Sequence, residues 1–339
     1  MSRTRHESSR IIGSGSYFPD RRLTNADLEQ MVDTSDEWIT TRTGIHERRL
    51  CQPSESTSDV AVQAALHALE MSGVEAAGID LIVMGTVTGD MQFPATAVFV
   101  QDRIGATNAA AFDLSAACSG FIYGLNVAHA MIVSGQAKRA IVIGAETLSK
   151  FTDWKDRSTC VLFGDAGGAV VLEACAADEG ILSSHMRSDG SLSSLLCIPG
   201  GGSRHPLDAG TFARGDQYIH MKGDGVFKWA IRAMVETSKK TLADAGVPMD
   251  DVTLFVPHQA NIRIIDAVVE RLGVASDRVI VTLDRYGNTS SATIPTAYDE
   301  AVRTGRIGPG DLVLFCGFGG GLTWGSILLR NAIARGGAG

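Results

Sequence analysis

The 339-residue sequence has no pair of cysteines at the spacing of a zinc or redox motif. Its six cysteines, Cys51, Cys118, Cys160, Cys175, Cys197 and Cys316, are scattered, and its eight histidines form no cluster. That pattern excludes a disulfide framework and a metal site, and it reads as the free thiols of a reducing compartment. Charge is sparse as well. Only 20% of residues are charged, and 30 basic against 38 acidic side chains leave a net −8. This excludes general binding to nucleic acid or to an anionic membrane face, so an acidic partner would need a local basic patch. The longest uncharged run, Leu114–Gln136, contains Ser115, Ser119, Asn126 and His129 and reads as buried core, not a membrane span. The opening MSRTRHESSR carries no apolar stretch of the kind an export signal needs. A cytoplasmic protein without a membrane partner is therefore expected. A dinucleotide fingerprint is missing too, because Phe18 stands where the third glycine after Gly13-Ser-Gly15 belongs.

What is present is apolar material and glycine. Forty-five percent of residues are hydrophobic, ample for a large core, and the 38 glycines come to about 11% against a usual ~7%. With no collagen period, they must serve turns and close backbone approaches. Short β-rich runs alternate with Ala-rich amphipathic stretches, the pattern of an α/β protein with a largely parallel or mixed sheet. Strands are expected at Leu81–Gly85, Ala111–Leu114, Ala140–Gly144, Val252–Pro257, Val279–Leu283 and Leu312–Gly317. Helices are expected at Ser58–Ser72, Ala95–Ile104, Ser119–Ser134, Gly225–Ala245, Ile262–Leu272 and Ser291–Thr304. Strand Leu81–Gly85 is echoed by Leu254–His258, and the turn at Cys118 by the turn at Asn288. The strand at Ala140 is echoed by that at Leu312, each pair about 170 residues apart. The echo points to two similar halves packed face to face: a flexible tail over 1–10, one half over 11–180 and a second over 181–335.

Three residues then fall at equivalent strand ends. Cys118, in Asp113-Leu-Ser-Ala-Ala-Cys-Ser-Gly-Phe, precedes a long helical pattern, where unpaired N–H groups and the helix dipole favour a thiolate. It reads either as a nucleophile or as a buried structural thiol. His258 closes Leu254-Phe-Val-Pro-His, and such strand ends line ligand crevices in α/β proteins, although a lone histidine is commonly structural. Asn288, in Tyr286-Gly-Asn-Thr-Ser-Ser, taken singly is a turn residue. Gly319-Gly320-Gly321 exposes backbone N–H groups of the kind an oxyanion hole uses, or forms a simple turn.

Seven segments in order resemble the β-ketoacyl-[acyl-carrier-protein] synthase III family of the thiolase superfamily. They are Asp33-Thr-Ser-Asp-Glu-Trp-Ile, Arg42-Thr-Gly-Ile, Ala117-Cys-Ser-Gly-Phe, Phe163-Gly-Asp-Ala-Gly, Pro257-His-Gln-Ala-Asn-Ile-Arg, Tyr286-Gly-Asn-Thr-Ser-Ser and Phe318-Gly-Gly-Gly-Leu-Thr-Trp-Gly. The likeness runs from about Ile11 to Arg330. It implies a thiolase-like α/β fold in α-β-α-β-α layers and a homodimer. It also implies a catalytic triad of Cys118, His258 and Asn288, with an oxyanion hole from the N–H groups of Cys118 and Gly320. The implied reaction is decarboxylative condensation of a short acyl-CoA, acetyl-CoA above all, with malonyl-acyl-carrier-protein through an acyl-cysteine, with no metal or other cofactor. By position, Trp38, Arg42 and Arg157 match contacts to CoA, and Asn261 a pantetheine-tunnel residue. Phe93 matches a residue that reaches from the partner subunit to floor the primer pocket. Lys228 and Arg263 match positions that dock the carrier protein, and Arg232 lies one helical turn from Lys228. The family pattern departs at Glu270, where a second base beside Arg271 is expected.

Three other readings share parts of this pattern. A starter synthase of polyketide or quinolone metabolism keeps the fold and triad. A thiolase proper needs a second catalytic cysteine, for which Cys316 is the sole neighbour of the glycine loop. A cysteine hydrolase would use the same three residue types with histidine as general base.

Overall fold

The computed structural model describes residues 6–335. Its strands are β1 (Ser8–Tyr17), β2 (Arg21–Thr24), β3 (Glu47–Leu50), β4 (Leu81–Gly85), β5 (Ala110–Leu114), β6 (Arg139–Thr147), β7 (Asp165–Cys175), β8 (Ile181–Ser188), β9 (Leu196–Cys197), β10 (His220–Met221), β11 (Leu254–Pro257), β12 (Leu312–Gly319) and β13 (Thr323–Arg330). One sheet runs β1-β7-β6-β4-β5 and draws only on residues 8–175; a second runs β11-β12-β13-β8 and draws on residues 181–330. In the first, β4 is parallel to β5 and β6, and β7 is antiparallel to β6 and β1. The second repeats this order, with β11 parallel to β12 and β13 antiparallel to β12 and β8. Strands β2 with β3 and β9 with β10 form small antiparallel ribbons outside the two sheets.

The helices Gly120–Val133 and Thr293–Arg303 lie between the sheets. Phe121, Ile122 and Leu125 from one, and Ile294 and Tyr298 from the other, pack with Val83, Val142 and Val170 of the first sheet and Val256, Phe315 and Ile327 of the second. Helices Thr57–Ser72 and Thr96–Ile104 cover the outer face of the first sheet, and Gly223–Ala245 and Ile262–Leu272 that of the second. This is the expected α-β-α-β-α arrangement, and burial explains it. Strands β4 and β6 are apolar on both faces, so each sheet needs a cover on both sides. Each fully buried aliphatic or aromatic side chain contributes ~1.5–3 kcal/mol. None of the helices among the described residues is long and apolar enough to cross a membrane.

Two expectations differ from the structure. The first strand begins inside the span read as a tail, because Ser8, Ser9 and Arg10 pair with Cys175, Ala174 and Glu173, and Arg10 holds Glu173 in an ion pair of 2.9 Å. Residues 1–5 of that span lie outside the described residues. Val279–Leu283 is not a strand. It touches the second sheet through a single parallel bridge, Val279 to Phe255, at the position β5 occupies in the first sheet. The buried side chain of Gln259 occupies its backbone instead, donating to Ile280 O and accepting from Thr282 N, after which a short helix begins at Leu283.

The start of the second central helix can approach the first sheet so closely only because of glycine. A Cβ on Gly144 of β6 would stand 2.2 Å from Ser291 O, inside any allowed contact, so the turn before Thr293–Arg303 rests directly on the first sheet.

Phe315 is fully buried in the central layer, edge-on to Tyr298 at 5.3 Å and tilted against Phe121 at 6.2 Å. Phe315→Ala is expected to lower the free energy of unfolding by ~3–5 kcal/mol, and Phe315→Leu by less than ~1.5 kcal/mol, in urea titrations. Equal, small losses for both would show that this layer is not tightly packed.

Candidate active site

Cys118 follows β5 through a single 3-10 turn, Ala117–Ser119, that runs straight into helix Gly120–Val133. Ala117 adopts φ +46°, a left-handed conformation that costs a residue with a Cβ roughly 1–2 kcal/mol and turns the next side chain out of the strand direction. The cysteine is 6% exposed. Burial pushes its thiol up to about 12; the neighbouring Ser290 side chain opposes the shift, and the carboxylate of Glu146 adds to it. The helix start alone had suggested a thiolate. In the folded chain the loss of solvent outweighs it, and the resting group is a thiol.

His258 caps β11. Its N–H donates to Cys316 O at 2.8 Å, and Nδ1 lies 2.7 Å from Thr293 Oγ1. It is 2% exposed, and burial lowers it from 6.5 to about 3, so the ring is neutral. Asn288 follows Gly287. Its backbone joins the first half, N–H to Leu162 O at 2.8 Å and C=O from Gly164 N at 3.0 Å. Its Oδ1 accepts from Ser290 N at 2.8 Å, which leaves the Nδ2 donors for a ligand.

These three residues share the wall of one cavity of about 410 Å³, which also contains Trp38, Arg42, Asn261, Arg263 and Phe318. A second cavity, of about 380 Å³, opens on the other side of Cys118. Its lining includes Val87, Leu148, Phe163, Leu196, Ile198 and Ile219, and so is chiefly apolar. Cys118 belongs to both. Gly320 lines the second cavity beside it, and a Cβ on Gly319 would stand 2.6 Å from Cys118 N. The glycine loop therefore lies against the backbone of Cys118. Thr323 ties the two together by donating to Ala116 O at 2.8 Å.

Of the outlying candidates, Arg42 and Arg157 each sit 4.7 Å from the centre of the Trp38 ring. Arg157 is not part of the cavity wall and is held by Asp33 O at 2.7 Å. Asn261 caps helix Ile262–Leu272, with Oδ1 accepting from Arg263 N and Nδ2 donating to Arg42 O, so both ends of its amide are engaged. Lys228, Arg232 and Arg263 are all exposed. Arg263 lies over Phe227 in the tunnel wall, while Arg232 stands over Trp229 in a separate hollow. Phe93 is 84% exposed and lines neither cavity. Cys316 is wholly buried outside both, against Met234 O.

Sequence reasoning missed Ser290, Thr293 and Glu146. Ser290 and Thr293 stood in view beside Asn288, but neither polar side chain has a periodicity to betray it. Glu146 had one faint signal, a lone carboxylate closing the apolar run Ala140–Ala145.

Comparison with known proteins places this geometry in context. Residues 112–190 match the family profile described as 3-oxoacyl-[acyl-carrier-protein (ACP)] synthase III, and residues 242–331 that of its C-terminal part. The β-ketoacyl-[acyl-carrier-protein] synthase III of Symbiobacterium thermophilum is 54% identical over 320 residues, 94% of this chain and 97% of the relative. The crystal structure of 3-oxoacyl-[acyl-carrier-protein] synthase III from Aquifex aeolicus superposes with a TM-score of 0.88 at 48% identity, covering 95% of this chain and 99% of that one. The priming β-ketosynthase of the R1128 polyketide pathway gives 0.90 at 35% identity, covering 97% and 98%.

A neutral His258 has a measurable signature. Below about 6.5 the unfolded chain binds a proton that the folded chain refuses, so this stabilisation is present above 6.5 and is lost as pH falls toward 3. Between pH 7 and about pH 5 the wild type is expected to lose ~2 kcal/mol more than His258→Asn in urea titrations. Parallel losses would mean that the imidazole is not held neutral.

Proposed function

The chain belongs to the 3-oxoacyl-[acyl-carrier-protein] synthase III family, and from that premise we propose how its own residues start fatty-acid synthesis. The reaction joins a short acyl group from acyl-CoA to malonyl-acyl-carrier-protein, giving 3-oxoacyl-acyl-carrier-protein, CoA and CO₂. The observation that carries the reading is the position of Cys118 on both cavities at once, with His258 and Asn288 on the wall of only one. A thioester entering by the tunnel presents its carbonyl to the sulfur, and its acyl chain passes into the apolar chamber behind.

In the first half-reaction the Cys118 sulfur bonds to the acyl carbon, and the bond to the CoA sulfur breaks. The thiol proton leaves with the CoA sulfur, so a thiol and a thioester are exchanged for another thiol and thioester. That balance suits a cysteine that is protonated at rest and has no strong base beside it. The N–H groups of Cys118 and Gly320 hold the tetrahedral oxygen, and each such donor typically contributes ~3 kcal/mol.

In the second half-reaction His258 and Asn288 donate to the carbonyl oxygen of the malonyl thioester. Loss of CO₂ sends its electron pair onto that oxygen as an enolate, which two fixed donors in a dry site stabilise. A histidine that titrates near 3 serves as donor and not as base. This role requires the tautomer with the proton on Nε2, in which the Thr293 hydroxyl, 2.7 Å from Nδ1, turns from Ser290 O to donate to the ring. The enolate carbon then bonds to the acyl carbon, the Cys118 sulfur departs, and water returns its proton. The steps are redox-neutral and balance with substrates alone, so no cofactor is required.

Trp38, with two guanidinium groups each 4.7 Å from its ring centre, suits an adenine ring and its phosphates, which supports CoA contacts by Arg42 and Arg157. Asn261 shapes the tunnel wall and fixes Arg42 in place. Arg263, at the tunnel, leads the docking of the acidic carrier protein, with Lys228 and Arg232 farther along helix Gly223–Ala245. Phe93, exposed and unused within its own chain, closes the primer chamber of a second copy in a homodimer, which favours acetyl over longer primers. A cytoplasmic site of action follows from these partners. The likeness to a priming polyketide synthase supports a second reading with the same chemistry and another primer.

Half-reactions separate the roles. Cys118→Ser is expected to release no CoA from acetyl-CoA, whereas His258→Ala releases one equivalent per site at near wild-type rate but slows CO₂ release from malonyl-carrier protein by about 10²–10³-fold. A His258→Ala variant that failed to acylate yet decarboxylated normally would reverse the assignment. Across a panel of acyl-CoA primers, acetyl-CoA should give the highest kcat/KM in the wild type, and Phe93→Ala should move the preference to longer chains. A preference unmoved by Phe93→Ala would detach that residue from the primer chamber.

A further inference from the structure

The buried carboxylate of Glu146 has no part in the chemistry above, yet it is among the most heavily bonded side chains in the protein. It is the penultimate residue of β6, is wholly inaccessible and accepts five hydrogen bonds. Four reach Oε2 from the segment after β4: Thr86 Oγ1, Val87 N and Thr88 N, each at 3.1 Å, and Thr88 Oγ1 at 2.5 Å. The fifth reaches Oε1 from the second half of the chain, Ser290 Oγ at 3.0 Å; Ser291 Oγ lies 3.2 Å from the same oxygen, and its proton goes to the nearer Gly85 O at 2.8 Å. One carboxylate thus bonds both halves at the bottom of the site.

Ser290 is the link to the reacting groups. It holds φ +51°, a conformation that a residue with a Cβ adopts only when its surroundings impose it. Its hydroxyl donates to Glu146 Oε1 at 3.0 Å, and Ser290 lines the cavity wall with Cys118. In that posture its N–H points at Asn288 Oδ1, 2.8 Å away, and its carbonyl lies 2.9 Å from the hydroxyl of Thr293, the neighbour of His258 Nδ1. The backbone bond to Oδ1 decides which end of the Asn288 amide faces the tunnel. Without it the amide is free to turn and present an oxygen to the enolate.

We propose that Glu146 is a positioning residue for the condensation, acting through Ser290 to hold the Asn288 amide with its N–H donors toward the substrate carbonyl. The proposal rests on the role given to Asn288 above. Replacing Glu146 by glutamine keeps the volume but sets amide N–H groups against the donors that now converge on the carboxylate. The Ser290 turn then loses its anchor, while the nucleophile's own turn, held by Thr323, stays in place.

The test uses the full-length enzyme and measures CoA release and CO₂ release separately. Glu146→Gln is expected to lower kcat of condensation by about 10–100-fold, with KM for malonyl-carrier protein within about threefold of wild type and acylation no slower, because removing the carboxylate also relieves its upward push on the Cys118 thiol. Combined with Asn288→Ala, it should be no slower than Asn288→Ala alone within about threefold, because the two act in series. Multiplying losses in the double variant would overturn the proposal, as would a parallel fall of both half-reactions. If Glu146→Gln does not fold, Ser290→Ala decides: condensation must suffer more than acylation, and the reverse order rejects the idea. Full-speed condensation by Asn288→Ala would remove the parent reading and this one with it. A slow Asn288→Ala beside an unaffected Glu146→Gln removes this one alone.

Discussion

The structure depends on two helices of the central layer beginning against one another. Helix Gly120–Val133 starts at the nucleophile turn and helix Thr293–Arg303 at the Ser290–Ala292 turn, and the bare backbone of Gly144 lets the second turn press onto the first sheet. From that contact the rest follows. Strand β11 can deliver His258, and the Gly287–Asn288 turn can pair with Phe163, only where the two halves are already in register. A polar site of this kind would be costly inside so apolar a layer unless its groups were bonded. They are, in a connected set running from Glu146 through Ser290 and Thr293 to His258.

Burial then sets the chemistry. It favours a thiol at Cys118 and a neutral ring at His258, which suits the proposed exchange of thioesters and stabilisation of an enolate. It disfavours the general-base histidine that a hydrolase needs. A thiolase needs a second cysteine in the site, and Cys316 lies outside both cavities.

Much of this was legible in the sequence where local rules apply. Strand β4 and helix Ile262–Leu272 fall on the residues that periodicity marks, and the repeat of strand order in the second half appears in the sequence as an offset of like segments. Strand β1 was unmarked because Gly13, Ser14, Gly15 and Ser16 carry no β preference, and its place comes from pairing with β7. Val279–Leu283 has strand composition but lost its ladder to the side chain of Gln259, a tertiary event that no window reveals. In the site, Cys118 and His258 were visible as polar residues after apolar runs, whereas Asn288 read singly as a turn residue and joined them only through the family resemblance. The raised thiol and the silenced imidazole were not, since both arise from what covers them. Glu146 was hidden for the same reason: its significance lies in donors from residues 86–88 and 290–291, far away in the chain.

The claim on which the account turns is that one thiol of six receives the acyl group. Peptide mapping by mass spectrometry after incubation with acetyl-CoA alone tests it most directly. An acetyl adduct confined to the peptide bearing Cys118, and cleared when malonyl-carrier protein is added, is the predicted result. An adduct on another cysteine, or none on Cys118 while condensation proceeds, would contradict it.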